Sequence, residues 1–181
     1  IEIPQVESMI PQLGQSIMDF TMNGRVQTTV QNWHPSLAMA PHNCYRCQGD
    51  DRWINITVTS EEEWQAFCGV MGHPDWTRDG RFADAMSRVK DQEALDERIE
   101  AWTVTQENIP LMHRLQQAGV PAGAVYNAAD VFADPHLKER GFFQEMTQED
   151  CGTHLYHGLP WKASKTPNRL RLPPCRLGEH N

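Results

Sequence analysis

The sequence predicts an α+β fold, with short antiparallel strands packed against several helices. Three observations point there. Helical and strand patterns intermingle without the regular strand–helix–strand rhythm of a parallel sheet. The run WINITV (53–58) alternates in β fashion behind the turn signal QGDD (48–51), which predicts a hairpin with residues 44–47. Ser60 followed by Glu63 is the signature of a capping box, and Trp64, Phe67, Cys68 and Met71 then recur at i, i+3, i+4 and i+7, the apolar face of a helix.

In chain order, residues 5–23 suit a helix, with Val6, Met9, Ile10, Leu13, Ile17 and Phe20 on one side. Pro11 and Gly14 inside it predict a kink or break. Residues 24–43 show no period and read as a loop. The capped helix stops at Gly72 and Pro74. A second helix follows in DQEALDERIEAWT (91–103), with Leu95, Ile99 and Trp102 on its apolar face. A third over 106–118 ends at Gly119 and Pro121. PAGAVY (121–126) reads as a short buried strand, and NAADVFADP and HLKERG as short helical pieces. Residues 142–147 and 153–157 are set to pair across QEDCG. No internal repeat or low-complexity segment is present.

Composition removes several classes of function. At 181 residues the chain can bury a core of its own. Its net charge of −8 and the lack of a Lys/Arg cluster argue against nucleic acid as a partner. No apolar run approaches the ~20 residues that a membrane helix needs. Five cysteines at irregular spacing make no disulfide framework, so a reduced, cytoplasmic, soluble protein is expected. The first residue is Ile1 and the last stretch, LRLPPCRLGEHN, is loop-like. Both suggest a piece of a longer polypeptide.

The strongest apparent site is a set of four residues of metal-ligating types, His34, His42, Cys44 and Cys47. Structural zinc normally takes two ligand pairs, and there is no second cysteine pair here. An odd separation on a strand would also send Cys44 and Cys47 to opposite faces. A redox Cys-x-x-Cys belongs at a helix N-terminus, whereas this one runs into a turn. Cys68 falls on a helix's apolar face, Cys151 and Cys175 lack a neighbouring base, and Asp50–Asp51 beside Gly49 reads as turn chemistry. The residues and their spacing therefore assemble no metal site and no complete catalytic site.

Five stretches in order resemble the C-terminal part of a family III CoA-transferase (the CaiB/BaiF family, with formyl-CoA transferase, carnitine CoA-transferase and α-methylacyl-CoA racemase relatives). They are NWHPSLAMAPHNCYRCQGDDRWINITV, EEEWQAFCGVMGHPDWTRDGRFADAMSRV, LQQAGVPAGAV, DPHLKERGFF and LGEHN. The resemblance implies a linker helix region over 1–30, a small α+β domain over 31–140, and a return segment over 141–181 that packs with the first on a large domain. It makes Cys47 a strand residue. It implies His34, Pro41 and Tyr45 as substrate-lining residues, no cofactor beyond the coenzyme A thioester substrate, and an interlocked homodimer.

The family's chemistry starts with an Asp carboxylate attacking an acyl-CoA thioester to form a mixed anhydride. An aspartyl-CoA thioester follows, and an acceptor carboxylate then collects the CoA. That Asp lies upstream of the stretches matched, so no catalytic residue is assigned here and the chain is expected to be inactive alone. Some members carry a glycine-rich loop where this chain has SLAMAP (36–41), which leaves carnitine-, bile-acid- and racemase-like members open. An acyl-CoA racemase segment and a stand-alone binding or assembly module remain as alternatives.

Overall fold

The computed structural model describes residues 4–27, 32–33, 38–166 and 169–179. They divide into two compact units, which part between Val125 and Tyr126.

The first unit is built on a three-stranded antiparallel sheet, with β1 (His42–Arg46), β2 (Trp53–Thr57) and β3 (Ala122–Ala124) in that order. Tyr45 lies opposite Ile54, and Ile54 opposite Ala124. The expected alternation holds on the central strand: Ile54 and Ile56 are completely buried, and Asn55 between them is exposed. The turn between β1 and β2 needs left-handed backbone at Gly49 and Asp51. The Cys47 amide closes that turn on the Arg52 carbonyl at 2.7 Å. Cys47 is therefore the first turn residue and not a strand residue, because β1 stops at Arg46. It is nevertheless buried.

After α1 (Gln5–Met9) and α2 (Gly14–Asn23) of the N-terminal stretch, four helices contribute to the core around the sheet: α3 (Glu61–Val70), α4 (Ala85–Lys90), α5 (Gln92–Thr103) and α6 (Asn108–Gln117). Ser60 caps α3 by accepting from the Glu63 amide. The return arm of the expected capping box goes one residue further back, where the Glu63 carboxylate accepts from the Thr59 amide at 2.6 Å. Trp64, Phe67 and Cys68 are buried as the spacing predicts, as are Leu95 and Ile99 on α5. Burial of side chains of this size contributes roughly 1.5–3 kcal/mol each. Gly119, at φ +83°, ends α6 by turning Val120 back so that its amide reaches the Leu115 carbonyl.

Three features differ from the sequence reading. Residues 75–90 hold two 3-10 turns (Asp75–Arg78 and Gly80–Phe82) and α4, where no element is evident from periodicity. The tight turns set Trp76 between Trp64 and Phe82, at ring separations of 6.5 and 5.7 Å. The strand read over 121–126 is only Ala122–Ala124 and is half-buried, because it lies at the sheet edge with a single partner strand. The segment 5–23 is broken as Pro11 and Gly14 require, into α1 (Gln5–Met9), a 3-10 turn (Ile10–Leu13) and α2 (Gly14–Asn23). None of its residues is buried.

The second unit carries α7 (Ala128–Ala133), α8 (Pro135–Glu139) and a hairpin of β4 (Phe143–Gln148) with β5 (Gly152–His157). A reciprocal capping box of Asn127 and Asp130 starts α7, and Asp134 caps α8. Phe132 stacks on Phe143 at 4.4 Å, joining α7 to the hairpin. Among the described residues, no helix is long and apolar enough to cross a membrane.

Candidate functional site

Two side chains from elsewhere in the chain hold described residues between 32 and 45. One holder is Asp96, on α5 beside the buried Leu95. Its Oδ1 accepts from the Tyr45 hydroxyl at 2.6 Å, and its Oδ2 accepts from Asn43 Nδ2 at 2.8 Å and from the Trp33 indole N–H at 3.3 Å. Asn43 passes the order on, since its Oδ1 accepts from the Cys44 amide and from Asn32 Nδ2, each at 2.8 Å. The His42 ring nitrogen Nδ1 is hydrogen-bonded to the Asn32 carbonyl. One carboxylate thus fixes the start of β1 against residues 32 and 33 through charge-assisted hydrogen bonds, the stronger kind. With three donors on its two oxygens, Asp96 is placed to orient its neighbours rather than to attack a thioester.

Tyr45 is 1% exposed, and burial first, then the Asp96 charge, pushes its hydroxyl well above the usual tyrosine range. It is a neutral donor at any physiological pH, so it acts through its O–H and not as a phenolate base.

The other holder is Arg88 on α4, whose side chain is 1% exposed. Its Nε donates to the Ala40 carbonyl at 3.0 Å, and Nη1 reaches the Phe82 carbonyl at 3.3 Å. Nη1 and Nη2 also make a two-pronged pair with the Glu61 carboxylate, at 3.1 and 2.7 Å. The guanidinium stacks over the Trp64 ring at 4.6 Å from its centroid. Only Arg offers five donors in a planar fork able to meet all three acceptors at once. The next peptide bond, Ala40–Pro41, is cis, and the Pro41 carbonyl accepts from the Val58 amide at 2.9 Å. Residues 40 and 41 are therefore tied to α3, α4 and the end of β2.

Of the three candidate lining residues, Pro41 and Tyr45 lie buried in this frame, and His34 lies outside the described residues. Among the described residues no group of three or more His, Cys, Asp or Glu is arranged to hold a metal ion. Cys44 is half-buried and Cys47 is buried; burial raises the Cys44 thiol and pushes Cys47 up to about 11. Sequence reasoning missed Asp96 and Arg88. The available signal was indirect: a buried Tyr or Trp needs a polar partner for its O–H or N–H.

This geometry defines an α+β unit whose order is invested in presenting one loop-and-strand stretch. The family model of CoA-transferase family III matches residues 1–181, and the chain belongs to that family. A probable CoA-transferase of Mycobacterium tuberculosis is 34% identical over 146 residues, covering 81% of this chain and 18% of the relative. The succinyl-CoA–D-citramalate CoA-transferase of Chloroflexus aurantiacus is 29% identical over 176 residues, covering 97% of this chain and 41% of the relative. A crystal structure of a CaiB/BaiF family protein from Brucella suis superposes with a TM-score of 0.77 at 26% identity, over 96% of this chain and 44% of that one. The chain thus spans less than half the length of these relatives.

Proposed function

We propose that this chain is the small-domain portion of an enzyme that transfers CoA from an acyl-CoA thioester to a carboxylic acid. The observation that carries the reading is the family match over the whole chain, together with relatives named for that transfer. In this reading 31–140 form the small domain, and 1–30 and 141–181 pack on a large domain that supplies the nucleophilic Asp. His34 and Pro41 lie at the thioester end of the active site. Tyr45 and Asp96 hold that stretch in place from beneath. The reaction needs no cofactor besides the CoA carried by its substrate. The whole enzyme works as a homo-oligomer in the cytoplasm.

The 181-residue chain by itself does not turn over. Its best-placed carboxylate is engaged by three donors, and the Cys47 thiol, at about 11, is protonated at neutral pH. The test runs the native gene product and the 181-residue chain side by side, with acyl-CoA donors and carboxylate acceptors, reading new thioesters by mass spectrometry. Transfer by the native product and none by the chain is the expected result. Turnover by the chain alone would overturn its assignment as a non-catalytic part. A native product that inverts a 2-methylacyl-CoA but moves no CoA would make this a racemase instead.

A further inference from the structure

The tail after residue 169 follows the hairpin of the second unit and brings two exposed cysteines towards one place. Gln144 Oε1, on β4, accepts from the Leu170 amide at 2.9 Å, across 26 positions. Arg176 pairs with Glu149 and, at 3.7 Å from Nε to Oδ2, with Asp150, which is again 26 positions back. The constant offset means that the tail and β4 advance together towards the hairpin turn. Their rises match: Pro173 and Pro174 favour an extended tail at about 3.1 Å per residue, against about 3.3 Å along a strand.

The turn that receives the tail is fixed from within. Gln148 Oε1 accepts from the Asp150 and Cys151 amides, each at 2.9 Å, and the Cys151 carbonyl is hydrogen-bonded to His154 Nε2 at 2.7 Å. Cys151 directly follows Asp150, and Cys175 directly precedes Arg176, so the ion pairs join the immediate chain neighbours of the two thiols. Both cysteines are exposed, whereas Cys44 is half-buried and Cys47 and Cys68 are buried. Residues 173–176 belong to no helix or strand, so the tail can adjust locally to the Cα separation of about 4.4–6.8 Å that a disulfide requires.

We infer that Cys151 and Cys175 form a reversible disulfide, made by exchange with a small disulfide of the glutathione class, that locks the tail onto the hairpin turn. One cysteine, as thiolate, attacks a sulfur of the reagent; a mixed disulfide forms and one reagent thiol leaves. The other cysteine's thiolate then attacks the protein sulfur of the mixed disulfide and releases the second reagent thiol. The protein loses two electrons and two protons, which the two departing thiols carry away. Without the bond, the tail is held at the turn by ion pairs whose side chains are 44–75% exposed, and such pairs weaken with salt. The inference rests on the second unit alone and not on the transfer reading.

The test places the reduced, native 181-residue chain in a buffer of oxidised and reduced glutathione, and reads the intact mass and the unreduced peptides by mass spectrometry. The expected product has lost two hydrogens, carries no glutathione, and yields one peptide pair joining Cys151 to Cys175. Dithiothreitol should reverse it. Cys151→Ser and Cys175→Ser should each carry one glutathione and no internal bond. Arg176→Ala keeps both thiols but loses the ion pairs. Its ratio of internal bond to glutathione adduct should fall roughly two- to fivefold, the reach of an exposed pair. High salt should lower the parent's ratio in the same way. Two glutathiones with no internal bond, a bond between two chains, or a bond to Cys44, Cys47 or Cys68 would each overturn the inference. So would a ratio left unchanged by Arg176→Ala.

Discussion

Replacing Arg88 with Met tests whether the frame around residues 40 and 41 is built as described. Methionine keeps most of the side chain's length and apolar volume but removes all the donors. The Ala40 and Phe82 carbonyls lose partners at a site where Arg88 itself is 1% exposed, and an unmet buried acceptor costs roughly 1–3 kcal/mol. The stack on Trp64 is worth about 1 kcal/mol more. The Glu61 end contributes less than a buried ion pair would, because that carboxylate is 48% exposed and water can take over its oxygens. Taken at the low end for both carbonyls, the total is about 3 kcal/mol, already at the high end of single substitutions. For a unit of this size that corresponds to a fall in melting temperature of about 10 °C. Five of the six tryptophans belong to the first unit, so a fluorescence-monitored melt reports on it. Arg88→Lys, which keeps the charge but loses the fork, should recover less than half of the loss. A melting temperature for Arg88→Met within a degree of the parent's would refute the reasoning, since it would mean the fork holds nothing.

Tyr45→Phe removes one of three donors to Asp96 and should cost about 1–2 kcal/mol by denaturant titration, with Asp96→Ala costing more because Asn43, Tyr45 and Trp33 all lose their acceptor. The Cys47 and Cys68 thiols, each pushed up to about 11 mainly by burial, favour the neutral form in the fold. The unfolded chain therefore binds fewer protons above pH 9, so stability should fall as pH rises from about 9 towards 11 and be flat below that from these groups. At pH 8 a thiol reagent should label the exposed Cys151 and Cys175 quickly and Cys47 and Cys68 only after denaturant is added. Light scattering at low micromolar concentration should give a mass above 20.7 kDa, because Val6, Met9, Leu13, Phe20 and Met22 on the N-terminal helices are all more than half exposed. A clean monomer that binds no hydrophobic dye would instead favour a stand-alone module.

How much of this was legible depended on the range over which each signal acts. Ser60 with Glu63, the apolar positions of α3 and α5, and Gly119 after α6 are local. Each is decided within about four residues by hydrogen-bond reach or helical period, and the structure follows them. The stretch 75–90 escaped because 3-10 turns have no long period, and its aromatic packing joins Trp76 to Trp64 across a chain reversal. The frame is harder still. Asp96 meets Tyr45 across 51 positions and Trp33 across 63, and Arg88 meets Ala40 across 48. In the sequence, Asp96 looks like an ordinary member of a charged helix face and Arg88 like one more basic residue in a stretch without a period, two among 24 acidic and 16 basic residues. What distinguishes them is demand from the other side: a buried phenol, an indole and a carbonyl beside a proline each need a partner, and a folded chain leaves few such groups unmet. A sequence shows which groups must be satisfied long before it shows by whom. Here the unmet demands cluster between residues 33 and 45, within the stretch that we propose to lie at the thioester end of the active site.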